Sequence, residues 1–338
     1  MPAVPHPLHR LARLGRRRAF QAPAVLLVVL AVLLWWWVPD RAPRPEGRIT
    51  FSTGVPSGVY QRYGELLQEA LRRNLPDVAT GLRDSEGSQQ NLARLASGEA
   101  DFTIATADAV ATYLSEGRPG ASKLRGCARL YDDYVQLVVP KDSPVRSTRE
   151  LRGLRVGVGQ EGSGVRLLAD RLLLAAGLDP AVDVESVSAG IDTMPALMEQ
   201  KRLDAFFWSG GLPTSAVKRL SERFPVRLLP LEEEVVEAAR RSGGPSRYFR
   251  TATIPADAYP AAQDGEPVET VAVPNLLVTM EEMDPALAEG VTRTVIRSRD
   301  RIGHEVHPAQ LVDLRTAIYT DPLPLHEGAR RYYRSVKP

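Results

Sequence analysis

Two stretches of this chain share one pattern: a short apolar strand runs into a glycine-rich turn, and the turn opens a helix. The first is Ile49-Thr-Phe-Ser-Thr-Gly-Val-Pro-Ser-Gly-Val-Tyr60, followed by a helical run over 61–73. The second is Arg155-Val-Gly-Val-Gly-Gln-Glu-Gly-Ser-Gly-Val165, followed by 166–177. A helix start carries unpaired N–H groups and a partial positive charge, and glycine lets an anion approach that backbone closely. Two such anion traps, about a hundred residues apart, point to two α/β lobes facing each other across a cleft.

Apolar spacing extends the pattern along the chain. Residues 48–53 read as a strand, 61–74 as an amphipathic helix ended by Leu75-Pro76, and 78–83 as a second strand. Residues 88–97 read as a helix with Leu92, Leu95 and Ala96 on its apolar face, stopped by Gly98, and 102–105 as a third strand. Strand alternating with helix predicts a parallel sheet covered on both faces. An apolar strand at 134–139 precedes a second series. Its strands are 155–159, 183–187, 205–208 and 226–229, and its helices are 164–176, 193–200 and 213–224. Residues 242–268, rich in Gly, Pro and Ser, read as loop. A long apolar strand follows at 271–279, and helical segments at 284–302 and 308–318 close the chain. The isolated strands at 134–139 and 271–279 separate a middle lobe from the two ends, as a bilobed hinge protein requires. The expected division is 48–138 for the first part of lobe 1, 139–269 for lobe 2, and 270–338 for the return to lobe 1.

Ahead of this body lies a different kind of segment. Residues 22–38 are uncharged and rich in Leu and Val. At ~1.5 Å per residue they span roughly 25 Å, the length of a short transmembrane helix. Arg10, Arg13 and Arg16 to Arg18 flank one end, and Trp35, Trp36 and Trp37 stand at the other. The positive-inside rule then predicts a single-pass cell-membrane protein. Residues 1–21 would be cytoplasmic, 22–38 the anchor, 39–47 a proline-rich linker, and the body extracytoplasmic. A cleaved leader is the competing reading, although Val38-Pro39-Asp40-Arg41 lacks a small-residue exit. Charge divides the same way. Residues 1–47 hold seven Arg against Asp40 and Glu46, a net of +5, which leaves 36 basic and 39 acidic residues, a net of −3, for the rest. The body therefore has no basic footprint for nucleic acid. Cys127 is the sole cysteine, so no internal disulfide forms, and it reads as a small buried residue.

At this level the residues resemble a known family. The pieces are Ser52-Thr-Gly…Ser-Gly-Val-Tyr60 with Tyr63-Gly64, then Ser88-Gln-Gln-Asn91 and Leu95-Ala-Ser-Gly98-Glu-Ala-Asp101. Asp108, Asp142-Ser143, Glu150-Leu-Arg-Gly153-Leu-Arg-Val156 and Gly162-Ser-Gly164 come next. Asp204-Ala-Phe, Gly210-Gly-Leu-Pro213 and Pro324-Leu-His326-Glu-Gly328-Ala-Arg-Arg-Tyr332-Tyr333 complete the set. In this order and spacing the chain resembles the TAXI-type solute-binding subunits of TRAP transporters, from about Ile49 to Val336. The resemblance implies an α/β, two-lobed, periplasmic-binding-protein-like (type II) Venus flytrap. It implies capture of a small organic anion, a carboxylate such as glutamate or a 2-oxoacid, and delivery to a TRAP-type permease. It implies no catalysis, no cofactor and no metal. The chain departs from the family pattern at Val55, at Val165 where a Thr is usual, and at Glu327.

The candidate binding residues gather at the strand exits. Thr53, Gly54, Ser57, Gly58 and Tyr60 surround the first glycine turn, where three hydroxyls join the backbone amides. Ser85 and Ser88 leave the second strand, and Thr106 and Asp108 the third; ligands of parallel sheets collect at these carboxyl ends. Ser88 and Asp108 also read as helix caps. Ser163 and Gly164 open the helix of the middle lobe, and Gly210 belongs to a turn carried by the resemblance. Enzyme motifs fare worse. The G-x-x-x-x-G-K-[ST] loop is absent, Ser215-Ala-Val-Lys218 lacks its S-D-N and K-T-G companions, and His304-Glu-Val-His307 misses the i, i+4 zinc spacing. A ligand-sensing module and an exported enzyme on the same bilobed fold remain the alternatives.

Overall fold

The computed structural model describes residues 45–336. The expected cytoplasmic and membrane segments, and most of the linker, lie outside the described residues. Among the described residues no helix is long and apolar enough to cross a membrane.

Lobe 1 opens with β1 (Gly47–Ser52), α1 (Val59–Asn74), β2 (Val78–Arg83), α2 (Ser88–Ser97), β3 (Phe102–Thr106) and α3 (Ala107–Ser115). A long strand, β4 (Leu124–Pro140), carries the chain into lobe 2. There follow β5 (Arg155–Gly157), α4 (Gly164–Ala175), β6 (Glu185–Val187), α5 (Met194–Glu199), β7 (Ala205–Gly210), α6 (Ser215–Arg223) and β8 (Val226–Leu229). Then come α7 (Glu233–Arg241), β9 (Arg250–Ile254) and α8 (Pro260–Gln263). β10 (Val268–Met280) returns to lobe 1, where α9 (Pro285–Gly303) and α10 (Glu327–Val336) finish the described chain.

All the strands join one ten-stranded sheet in the order β2-β1-β3-β10-β4-β7-β5-β6, with β8 on β4 and β9 on β10. The two ends of the sheet are parallel, as the strand–helix alternation requires. β3 is buried at every position because helices cover both its faces. Its one hydroxyl in mid-strand, on Thr103, is satisfied by donating to the Ser52 carbonyl at 2.7 Å. α1 buries Tyr63, Leu66, Leu67, Ala70 and Leu71, a single apolar stripe against β1, and Gly98 ends α2 in the left-handed conformation.

The middle of the sheet is antiparallel and belongs to both lobes. β4 and β10 run side by side along most of their length, so two strands connect the halves. The first half of β4 and the second half of β10 bury Cys127, Ala128, Leu130, Tyr131 and Leu277 in the lobe 1 core. Val135, Leu137, Val138, Val271 and Val273 join the lobe 2 core. The pairing slips between Pro274 and Leu276, where proline has no N–H to give the ladder. Asp132, Asp133 and Tyr134 face Pro274, Val273 and Ala272 across this irregular point.

Several elements differ from the sequence expectation. β4 begins ten residues earlier than the apolar run at 134–139, because its first half carries Gly126, Arg125, Arg129 and Asp132. Those charges are paired at the sheet surface, Arg125 with Glu281 and Arg129 with Asp132 at 2.7 Å, so a polar sequence still forms a strand. The expected helix over 308–318 is a short 3-10 segment, His307–Leu311, followed by turns. The 242–268 segment, expected as loop, contains β9, a largely exposed strand held by pairing with β10, and the short helix α8. α3, α7 and α10 complete the helices that apolar spacing did not reveal.

Candidate functional site

The parallel connections at the two ends of the sheet bring helix starts to one place. α1, α2 and α3 begin at the carboxyl ends of β1, β2 and β3, and α4 begins after β5. Between them lies a cavity of about 60 Å³. From lobe 1 it is lined by Gly54, Gly58, Tyr60, Gly87, Ser88 and Thr106. Across from them stand Gln160, Ser163, Gly164, Trp208, Ser209 and Gly210 of lobe 2. No Lys or Arg is among the lining residues. The first turn of each helix leaves N–H groups without intrahelical acceptors. In α4 the Ser163 hydroxyl accepts from the Arg166 amide at 3.1 Å, which leaves the amides of Gly164 and Val165 uncapped.

The lobes meet around this cavity. The Gln90 amide donates to the Gly162 carbonyl at 3.0 Å, and Gln89 Nε2 donates to the Ser163 carbonyl at 2.8 Å. Gly87 is required here twice over. Its φ is +128°, and a Cβ would lie 3.3 Å from the Ser163 backbone. Ser57 at the rim donates to Asp192 of the other lobe. Behind the cavity, Arg171 of α4 reaches across to α3, where Nη1 lies 2.8 Å from Asp108 Oδ2 and Nη2 donates to Thr112. Asp108 is 1% exposed, and burial raises its pKa against the opposing pull of Arg171.

Of the residues expected from sequence, Gly54, Gly58, Tyr60, Ser88, Thr106, Ser163, Gly164 and Gly210 line the cavity. Thr53, Ser57, Ser85 and Asp108 do not. Thr53 Oγ1 is engaged with Gln61 and the Arg83 carbonyl, and Ser85 Oγ donates to the Thr53 carbonyl at 3.0 Å. These two hold the turns in shape from behind. Ser57 and Asp108 make the cross-lobe contacts already described. Neither cap expectation holds as drawn: α2 is preceded by Gly87 and has no side-chain cap, and Asp108 sits inside the first turn of α3. Gly58 lines the cavity, but its own N–H closes the turn on the Val55 carbonyl at 2.8 Å. The free amides of that helix start belong to the residues after it.

Among polar and aromatic lining side chains, sequence reasoning missed Glu86, Asp133, Gln160, Trp208 and Ser209. Asp133 is the most consequential. It is 3% exposed, its Oδ2 lies 3.4 Å from the Tyr60 hydroxyl, and its Oδ1 has no hydrogen-bond partner among the described residues. Burial pushes the Asp133 carboxyl up to about 7, with Asn275 partly offsetting it and the neighbouring Asp132 adding to it. Tyr60 donates to Asn275 and is driven well above the ordinary phenol range, first by burial and then by Asp133. The available signal was the acidic doublet Asp132-Asp133 between two tyrosines: strand alternation must send one of the pair inward. Trp208 is held by Nε1–H donating to Thr214 at 3.1 Å, and Val165 brings methyl groups where a hydroxyl was expected from the family pattern. Among the described residues no group of three or more His, Cys, Asp or Glu is placed to hold a metal ion.

The Arg171 contact carries a prediction. Arg171→Ala leaves Asp108 without its partner only when the lobes are closed, so the variant should shift toward open forms. We expect solute affinity to fall roughly tenfold, about 1.4 kcal/mol, with a larger radius of gyration in X-ray scattering. Unchanged affinity and radius would show that the ion pair does not govern closure.

Comparison with known proteins agrees with this architecture. A protein from Bordetella bronchiseptica RB50 is 14% identical over 87% of this chain and 90% of its own, with a TM-score of 0.52. The alkanesulfonate-binding protein SsuA from Xanthomonas axonopodis pv. citri, bound to MOPS, is 17% identical over 88% of this chain and 86% of its own, with a TM-score of 0.48. The periplasmic aliphatic sulphonate-binding protein SsuA from Escherichia coli is 14% identical over 87% and 84%, with a TM-score of 0.45. At such identities the likeness concerns fold alone, and the Bordetella protein shares the α/β fold of this chain. Residues 51–336 match the model of the NMT1-like family, and the chain belongs to that family.

Proposed function

We propose that the protein is an extracytoplasmic solute-binding protein that closes its lobes over a small carboxylate and presents it to a TRAP-type permease, as the TAXI resemblance implies. One observation carries the binding reading: helix starts from both lobes converge on one cavity whose lining holds no basic side chain. Oriented amides and helix dipoles are then the groups available to a carboxylate. A ligand touching both lobes stabilises the closed form and shifts the population toward it. No bond is made or broken in this reading. Native mass spectrometry of the gently purified full chain should reveal a retained small acid. A calorimetric screen of carboxylates should then reproduce its binding. A chain that retains nothing, and binds no carboxylate in the screen, overturns the proposal.

The delivery step adds the membrane anchor over residues 22–38, which keeps the body near its permease while the proline-rich linker allows reach. Changing Arg16, Arg17 and Arg18 to Glu should impair export or invert the segment, because these charges set its orientation. Cysteine-accessibility labelling on both sides of the membrane reads the result. Unchanged orientation counts against the anchor, and an N-terminus beginning near Asp40 in the purified protein shows cleavage instead.

A further inference from the structure

Asp133 is a buried carboxylate in a cavity built for an anion, and its neighbours leave it without a counter-charge. Arg129 of β4 and Arg250 of β9 both pair with Asp132, and Arg125 of β4 pairs with Glu281. Arg171 is committed to Asp108. The side chains that touch Asp133 are uncharged: Tyr60 from α1 and Asn275 from β10, whose own Nδ2 has no partner among the described residues. Asp133 Oδ1 has no hydrogen-bond partner among the described residues, and neither has the Ser209 hydroxyl on the opposite lobe, which is 8% exposed and also lines the cavity. Unpaired buried acceptors are costly, and a charged one most of all. They persist where a ligand completes them.

We propose that the solute carries a protonated amine, and that Asp133 Oδ1 receives it inside the closed cavity. The proposal rests on the carboxylate-binding reading above and narrows it to zwitterionic amino acids, excluding 2-oxoacids. The carboxylate end lies at the uncapped start of α4 and the amine end at Asp133. Ser88 and Tyr60 bridge these ends: a Cβ on Gly164 would lie 3.1 Å from Ser88 Oγ, and the Tyr60 hydroxyl is 3.4 Å from both Ser88 Oγ and Asp133 Oδ2. A solute with a carboxylate at one end and an amine at the other is an amino acid.

The test is calorimetry on the full chain with the common L-amino acids and, for each binder, the 2-oxoacid of the same skeleton. At least one amino acid should bind a hundredfold or more tighter than its 2-oxoacid. Asp133→Asn should weaken that amino acid at least thirtyfold and leave the 2-oxoacid within about threefold. A second measurement needs no variant. The amine requires an ionised Asp133, so affinity should rise with pH up to about 7 and then level, with a proton released on binding. The other charged or titratable groups around it are Asp132 on its own strand, Asp108 with Arg171 behind the cavity, Tyr60, and Glu86, which lines the same cavity. If 2-oxoacids bind as tightly as amino acids, or affinity falls as pH rises, Asp133 acts as a neutral donor and the amine proposal is wrong while the carboxylate reading stands. If neither member of any pair binds, both fail.

Discussion

Replacing Gly164 by Pro is expected to weaken solute binding about thirtyfold, roughly 2 kcal/mol, with the fold intact. Gly164 is the first residue of α4, where an N–H has no helical acceptor and proline is well tolerated. Ser163 before it has ψ 156°, the extended conformation a following proline demands. The substitution therefore deletes an amide at the cavity at little structural cost. Gly164→Ala is the control. Its Cβ would lie 3.1 Å from Ser88 Oγ and 3.3 Å from Thr106 Oγ1, so it crowds the site in the same way but keeps the N–H. Ser163→Ala removes the cap of the Arg166 amide, costing about 1 kcal/mol of stability and less than tenfold in affinity. On the other lobe the matching position is Val59, first in α1, because the Gly58 amide is already spent on Val55. Val59→Pro should weaken binding in the same manner. Calorimetry on folded variants decides the matter. Equal affinity for Gly164→Pro and Gly164→Ala would place the carboxylate away from α4, and an effect from one lobe alone would remove the clamp.

The glycine turns were legible because their chemistry is local. A strand, a glycine and a helix start announce an anion site wherever they occur, and Gly54, Ser88, Thr106, Ser163 and Gly164 follow from that pattern without knowledge of the fold. What the pattern does not encode is which side chains arrive from the crossing strands. Asp133 and Ser209 reach the cavity because β4 and β7 lie beside each other in the sheet, a pairing between residues far apart in sequence. The same reason hid the first half of β4. Its residues look polar in isolation and become a strand only because β10 pairs along them and surface arginines find acidic partners. Asp108 shows the opposite failure: it reads as a helix cap but sits inside the first turn of α3, and its partner Arg171 comes from the other lobe, 63 residues away in sequence.

In the ligand-free protein Asp133 should cost stability as pH rises from about 4 to about 7, and Asp133→Asn should abolish that cost. In the unfolded chain an aspartate titrates near 3.9, whereas burial raises Asp133 to about 7 in the folded one. Below roughly pH 4 the group is protonated in both states and contributes no penalty. Between that point and about 7 the folded state holds a proton that the unfolded state has lost, so stability falls by about 1.4 kcal/mol per pH unit. Above about 7 both states are ionised and the penalty stays constant, on the order of 3–4 kcal/mol at most. Asparagine has no such titration. At pH 8 the variant should therefore be more stable than the parent by on the order of 2–4 kcal/mol, and at pH 4 the two should differ far less. Urea unfolding at both pH values gives the comparison, and taking variant against parent cancels every other titrating group. A stability difference that does not change with pH would mean that Asp133 is ionised at ordinary cost in the closed protein. The cavity would then hold a counter-charge of its own, and the requirement for a ligand amine would go with it.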